Sequence, residues 1–203
     1  VRSRRQRQMC IRDRFNVPVE YPKVGEDLTP ARIGVIDLNS MDVTWMKIPG
    51  ESNKFYLPRM TWMPNKDKLM IQQLNRKQNH SRYFVANADN GSTELLLEDK
   101  DEAWIDVRNT WPYQDKAGWK FINGGKEFLY TSEKDGWSHV YRYDIEKREE
   151  FLVTKGDYDV IRPLSFDEEK GDIYFIASPK DPTERYLYKT CLLYTSDAAD
   201  DSL

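Results

Sequence analysis

Residues 139–153 read His139-Val140-Tyr141-Arg142-Tyr143-Asp144, then the polar stretch Ile145-Glu146-Lys147-Arg148-Glu149, then Glu150-Phe151-Leu152-Val153. Wide and branched side chains alternate on both sides of a charged turn, which is the signature of a strand, a turn and a returning strand. The same hairpin occurs upstream as Arg32–Asp37 with Val43–Ile48, and as Arg82–Asp89 with Glu94–Leu97. A fourth start is Arg185–Tyr188. The starts recur at intervals of roughly 50 residues, a period that marks repeat architectures. A second hairpin type sits between them. It is Met60–Trp62 with Lys68–Ile71, then Trp119–Phe121 with Glu127–Tyr130, then Leu164–Phe166 with Asp172–Phe175. Two hairpins per repeat make a four-stranded antiparallel blade, and radial repetition of blades is a β-propeller.

Thirteen strands are expected in all. They are Arg32–Leu38, Val43–Ile48, Arg59–Met63, Lys68–Leu74, Arg82–Ala88, Thr93–Leu97, Trp119–Ile122, Glu127–Ser132, His139–Asp144, Glu150–Thr154, Val160–Phe166, Asp172–Ala177 and Arg185–Lys189. Turn chemistry separates them: Asn90-Gly91, Asn123-Gly124-Gly125, Lys134-Asp135-Gly136 and Lys170-Gly171-Asp172. No segment keeps a 3.6-residue period between helix caps. The class is all-β, and the arrangement is a partial propeller of three to four blades. The competing architecture is an open sandwich of the same strands.

Charged residues are 32% of the chain and the net charge is -3. That balance gives no electrostatic case for nucleic acid. No apolar run approaches the ~18 residues of a membrane span. Aromatics reach 13%, which suits half-buried strands.

The two ends read differently. Codons for Arg4 to Asp13 together with an AGR codon for Arg14, reverse-complemented and read in another frame, give TGT CTC TTA TAC ACA TCT GAC GCT GCC GAC. That string spells Cys191 through Asp200. Residues 1–13 and 191–203 are therefore expected to be translated sequencing adapter, flanking a propeller segment at 14–190 that is open at both ends. Both cysteines, Cys10 and Cys191, fall in those flanks. The central segment then offers neither a disulfide nor a thiolate metal site.

Five stretches carry a family resemblance. They are Tyr21-Pro22-Lys23-Val24-Gly25 with Arg32–Leu38; Leu74–Asn79; Thr131–Tyr141, which contains Ser132-Glu133-Lys134-Asp135-Gly136-Trp137; Thr154–Val160; and Glu184–Tyr188. In order and spacing the chain resembles the N-terminal propeller of the dipeptidyl-peptidase IV family of prolyl-oligopeptidase-type serine peptidases. The resemblance implies an eight-bladed ring over an α/β-hydrolase domain with a Ser-Asp-His triad. It also implies release of N-terminal dipeptides with proline or alanine second, and a propeller Glu pair that holds the substrate ammonium by charge-assisted hydrogen bonds. A periplasmic or secreted compartment and a homodimeric parent follow from family habit alone.

None of the catalytic parts is expected within these residues. No Gly-x-Ser-x-Gly elbow occurs. Glu149-Glu150 and Glu168-Glu169 lack the motif of the family's ammonium-binding pair. His80 and His139 are the only histidines, and both read as structural. Asp101, Glu102, Asp106 and Asp115 lack the regular ligand spacing and turn glycine of a calcium loop. No cofactor or metal site is expected.

The connection Trp104–Trp119 is long and aromatic, and long loops on rigid scaffolds carry function. The resemblance places an arginine and an aromatic of this region near the substrate pocket. Arg108 and Trp111 are therefore the candidate substrate-binding residues, with Arg108 on a peptide carbonyl. Two readings of function stand at this point. One is the substrate-gating propeller of a serine exopeptidase, whose partners are a peptide and a hydrolase domain outside these residues. The other is a non-catalytic propeller used for binding or as a scaffold.

Overall fold

The computed structural model describes residues 23, 25–64, 67–107 and 118–192. They form thirteen strands and one short 3-10 turn. The strands are β1 (Gly34–Ile36), β2 (Val43–Trp45), β3 (Phe55–Trp62), β4 (Lys68–Asn75), β5 (His80–Asn87), β6 (Thr93–Lys100), β7 (Lys120–Ile122), β8 (Glu127–Ser132), β9 (His139–Asp144), β10 (Glu149–Leu152), β11 (Val160–Asp167), β12 (Asp172–Ala177) and β13 (Tyr186–Cys191). They pair in chain order, antiparallel throughout. The result is a two-stranded sheet β1-β2, two four-stranded sheets β3-β4-β5-β6 and β7-β8-β9-β10, and a three-stranded sheet β11-β12-β13. These are two whole blades between two partial ones, as the repeat predicts.

Alternation along the strands builds the core between sheets rather than within one. In β4, Leu69 and Ile71 join Ile33 and Met46 of the first sheet. Met70, between them in sequence, faces the third sheet with Tyr83, Trp119, Phe128 and Tyr130. In β8, Phe128 and Tyr130 face the second sheet, whereas Leu129 joins Ile173 and Phe175 of the fourth. Successive side chains of a strand point to opposite faces. A blade interior in this stack is therefore apolar on both faces, and no sheet holds a core alone.

Several boundaries differ from the sequence expectation, each for a local reason. β3 starts at Phe55, not Arg59, and carries Pro58 across a register shift between Tyr56 and Arg59. It is an edge strand, where a missing N–H costs no ladder bond. β2 stops at Trp45 because the Lys47 N–H leaves the hairpin and bonds the Gly91 carbonyl of the next sheet at 2.7 Å. β10 stops at Leu152 because the Thr154 Oγ1, not a main-chain carbonyl, accepts from the Val140 N–H at 2.9 Å. β13 runs through Thr190 to Cys191, and the Leu192 N–H bonds the Gly171 carbonyl at 2.8 Å. Backbone pairing of this kind asks little of the side chains it carries.

Candidate functional site

The turns β4–β5 and β8–β9, with the connection after β6, share one end of the second and third sheets. A polar cleft opens there between the two sheets, lined by Arg59, Gln72, Tyr83, Asp99, Trp104 and Lys134 among others. Its floor comes from strand interiors. Gln72 is 1% exposed. Its amide nitrogen donates to Ser81 Oγ at 2.8 Å and more weakly to the Tyr83 hydroxyl at 3.4 Å. Its carbonyl oxygen Oε1 has no partner among the described residues. Across the sheet boundary, Ser132 Oγ donates to Asp99 Oδ2 at 2.6 Å.

The third sheet adds a charged cluster. Tyr130 donates its hydroxyl to Glu150 Oε2 at 2.6 Å. Lys134 donates to the same carboxylate at 2.8 Å and to the Tyr130 oxygen at 2.9 Å. Its ammonium also lies over the Tyr141 ring, 4.9 Å from the centroid. One turn further, His139 Nδ1 and Asp135 Oδ2 are 2.7 Å apart. The turn Lys134-Asp135-Gly136 is thus held by its own side chains, with Gly136 at φ +95° supplying the left-handed step.

Burial sets the electrostatics. It pushes the Tyr83 hydroxyl up to about 12, and it raises Tyr130 well above the usual phenol range, reinforced by the Glu150 carboxylate. Tyr141 is raised by burial and by Asp135. Burial also lowers Arg59, opposed by Tyr83 and Asp106. Burial works against the Asp135 charge as well, but the hydrogen bond and charge of His139 outweigh it and hold that carboxyl below its ordinary value.

The cleft presents donors and acceptors already oriented by strands around a volume of about 20 Å³, room for about one water. His80 lies 3.2 Å from Glu98 and His139 faces Asp135. No described group of three or more His, Cys, Asp or Glu side chains is placed to hold a metal ion. No described helix is long and apolar enough to cross a membrane.

Arg108 and Trp111 lie outside the described residues, as does Asp115. The described neighbours of that segment bear on the cleft: Ile105 and Asp106 line it, and Trp119 is wholly buried in the core between the same two sheets. Asp101 shapes the approach by accepting from the N–H groups of Ala103 and Trp104 at 2.7 and 3.0 Å. Sequence reasoning missed Gln72, and it weighed Glu150 only as part of a Glu pair that lacks the family's motif. A glutamine in an alternating strand and a glutamate beside a hairpin turn carry no motif, and Glu150 lies 20 residues from Tyr130.

The model of the dipeptidyl peptidase IV N-terminal region matches residues 8–199. Dipeptidyl peptidase 4 of Trichophyton rubrum is 23% identical over 173 residues, covering 84% of this chain and 22% of that protein. The inactive dipeptidyl peptidase 10 of Rattus norvegicus is 27% identical over 179 residues, covering 83% of this chain and 22% of that protein. Among solved structures, dipeptidyl peptidase 4 of Porphyromonas gingivalis superposes with a TM-score of 0.71 at 26% identity, over 84% of this chain and 23% of that one. A putative dipeptidyl aminopeptidase IV from Bacteroides ovatus gives a TM-score of 0.73 at 18% identity, over 88% of this chain and 27% of that one, a likeness of fold. The chain thus spans about a fifth of the length of the curated relatives it matches. With its blades stacked in chain order and its family model matched from residue 8 to 199, the chain belongs to the dipeptidyl peptidase IV N-terminal region family, as a portion of that propeller.

Proposed function

We propose that this chain is the substrate-gating and positioning propeller portion of a serine exopeptidase that releases N-terminal dipeptides. The observation that carries the reading is the family match over nearly the whole chain. In this reading the chemistry is nucleophilic acyl transfer by a serine of an α/β-hydrolase domain outside these residues. The propeller contributes access and orientation, with Arg108 on a peptide carbonyl and Trp111 beside it. Residues 14–190 are the propeller segment, residues 1–13 and 191–203 derive from adapter, and the parent is a homodimer.

The test is long-read sequencing of the source DNA, followed by assay of the full-length product on a chromogenic dipeptide-proline substrate. The expected finding is a nucleophile elbow after further blades, and a fall in kcat/KM of about tenfold for Arg108→Ala, the loss of one charged hydrogen bond. An unchanged kcat/KM in that variant removes Arg108 from the site. A downstream region with no nucleophile elbow removes the enzymatic reading.

One observation favours a second reading. The relative named as an inactive dipeptidyl peptidase matches as well as those named as peptidases. Propeller residues are common to both kinds, so a non-catalytic binding or scaffold parent is the alternative. Replacement of the elbow serine by another residue in the full-length sequence is its mark.

A further inference from the structure

The opposite end of the second and third sheets carries a separate cleft of about 400 Å³, within the size range of small-molecule sites. Its floor is the open end of the inter-sheet core. Met63 and Leu96 belong to that core, and half-buried Val85 and Ile145 pack against it. The walls are fixed across the sheet boundary. The Tyr143 hydroxyl bonds the Leu96 carbonyl at 2.8 Å, and Arg148 of the third sheet pairs with Glu94 of the second. On the inner side Gly125 lies so close to Pro64 that an added Cβ would sit 2.9 Å from the proline ring.

The charges at the mouth are unequal. Arg148 and Glu94 satisfy each other. Lys68 from β4 and Lys126 from the β7–β8 turn border the cleft from opposite sheets, and neither ammonium has a carboxylate partner among the described residues. Among the described residues, Glu146 is the other carboxylate at the rim, on the same turn as Arg148. An apolar floor between two unpaired cations complements a ligand with an apolar body and one anionic group.

We propose that this cleft binds an apolar carboxylate, either a small organic acid or the C-terminal residue of a peptide. The body rests on Met63, Val85, Leu96 and Ile145, and the carboxylate bridges Lys68 and Lys126. The site lies at the other end of the sheets from the polar cleft and does not depend on the peptidase reading.

The probes are phenylbutyrate and its uncharged amide, titrated into the full 203-residue chain and read by calorimetry and methyl NMR. An acetylated Ala-Phe dipeptide with a free or amidated C-terminus separates the two sources. The expected result is saturable binding of the acid, with shifts at the Val85 and Ile145 methyls and binding of the amide weaker by about fivefold, the worth of one exposed ion pair. Lys68→Glu and Lys126→Glu each weaken the acid by at least that factor, whereas Lys155→Glu, remote from the cleft, changes nothing. Both lysines are exposed, so melting temperatures should be unchanged and serve as the folding control. Equal binding of acid and amide, or affinity indifferent to both lysine variants, or no binding of any probe at about 10 mM, overturns the proposal.

Discussion

Tyr143 in β9 donates its hydroxyl across a sheet boundary to the main-chain carbonyl of Leu96 in β6, 2.8 Å away. Both residues are buried, and their ring and side chain belong to one apolar cluster. The bond ties the second sheet to the third.

Tyr143→Phe keeps the ring and removes the bond, leaving the Leu96 carbonyl without that donor. The expected cost is about 1–2 kcal/mol, seen as a lower urea midpoint at an unchanged m-value. Tyr143→Ala should cost about 3–5 kcal/mol, because a cavity opens in the core. Equal values for the two variants would show that the bond contributes nothing.

Alkaline pH should unfold the chain cooperatively. The unfolded Tyr83 hydroxyl titrates near 10, and burial raises it to about 12 in the fold. Above pH 10 the unfolded state binds fewer protons than the folded one, so stability falls as pH rises. The contribution is whole below about pH 10 and is lost progressively up to about 12, on the order of 3 kcal/mol for this one group. Tyr130 and Tyr141 are shifted in the same direction. Tyrosinate absorbance and circular dichroism should change together, and Tyr83→Phe should make the alkaline limb shallower. Smooth phenol titration without loss of structure would contradict this.

At the acid side, Asp135 is the group to follow. Its folded pKa is depressed through His139, so its contribution is present above the ordinary carboxylate value and disappears as pH falls through the folded one. Asp135→Asn should lower stability at pH 7 and weaken its dependence on pH below about 4. A variant with the wild-type acid limb would remove this pair from the account.

Gly91→Ala and Gly136→Ala form a matched pair. Both glycines have positive φ, +71° and +95°. A Cβ on Gly91 would drive into the Trp45 carbonyl of the first sheet, whereas one on Gly136 meets nothing within 4 Å. Gly136→Ala should cost about 1 kcal/mol, the left-handed backbone alone. Gly91→Ala should cost clearly more and should loosen the bond from the Lys47 N–H to the Gly91 carbonyl. Thermal melts of the two variants decide it.

A Lys134→Met, Glu150→Gln cycle measures the cleft cluster. The pair is about three-quarters buried and shares the Tyr130 hydroxyl. Coupling of about 1–2 kcal/mol is expected, more than an exposed pair provides. Additive single effects would reduce the cluster to a surface contact.

Much of this architecture could be read before any coordinates. The alternation in His139–Asp144, the Gly-containing turns and the return of one hairpin every ~50 residues determined the strands, their antiparallel order and the grouping into blades, because side-chain period and turn conformation are local properties. The family likeness rested on local stretches such as Ser132–Trp137 for the same reason. Boundaries were harder. Pro58 concealed the first half of β3, and Lys47 left its hairpin for a carbonyl 44 positions later in the numbering, at Gly91.

What only the tertiary structure decided is which face of each strand meets which neighbour. Met70 and Ile71 are adjacent and equally apolar, yet they enter different cores. Gln72, Glu150 and Tyr143 acquire their partners across strands or across a sheet boundary. The repeat predicted that blades stack, since no single sheet of this chain can bury two apolar faces. The closing of Lys134 on Glu150 depends on the pairing of strands within the third sheet, whereas the bond from Tyr143 to Leu96 and the meeting of Lys68 and Lys126 at one cleft depend on how two sheets lie against each other. That arrangement is set by the packing of Trp119, Phe128 and Tyr130 between them, long-range contacts that no local pattern encodes.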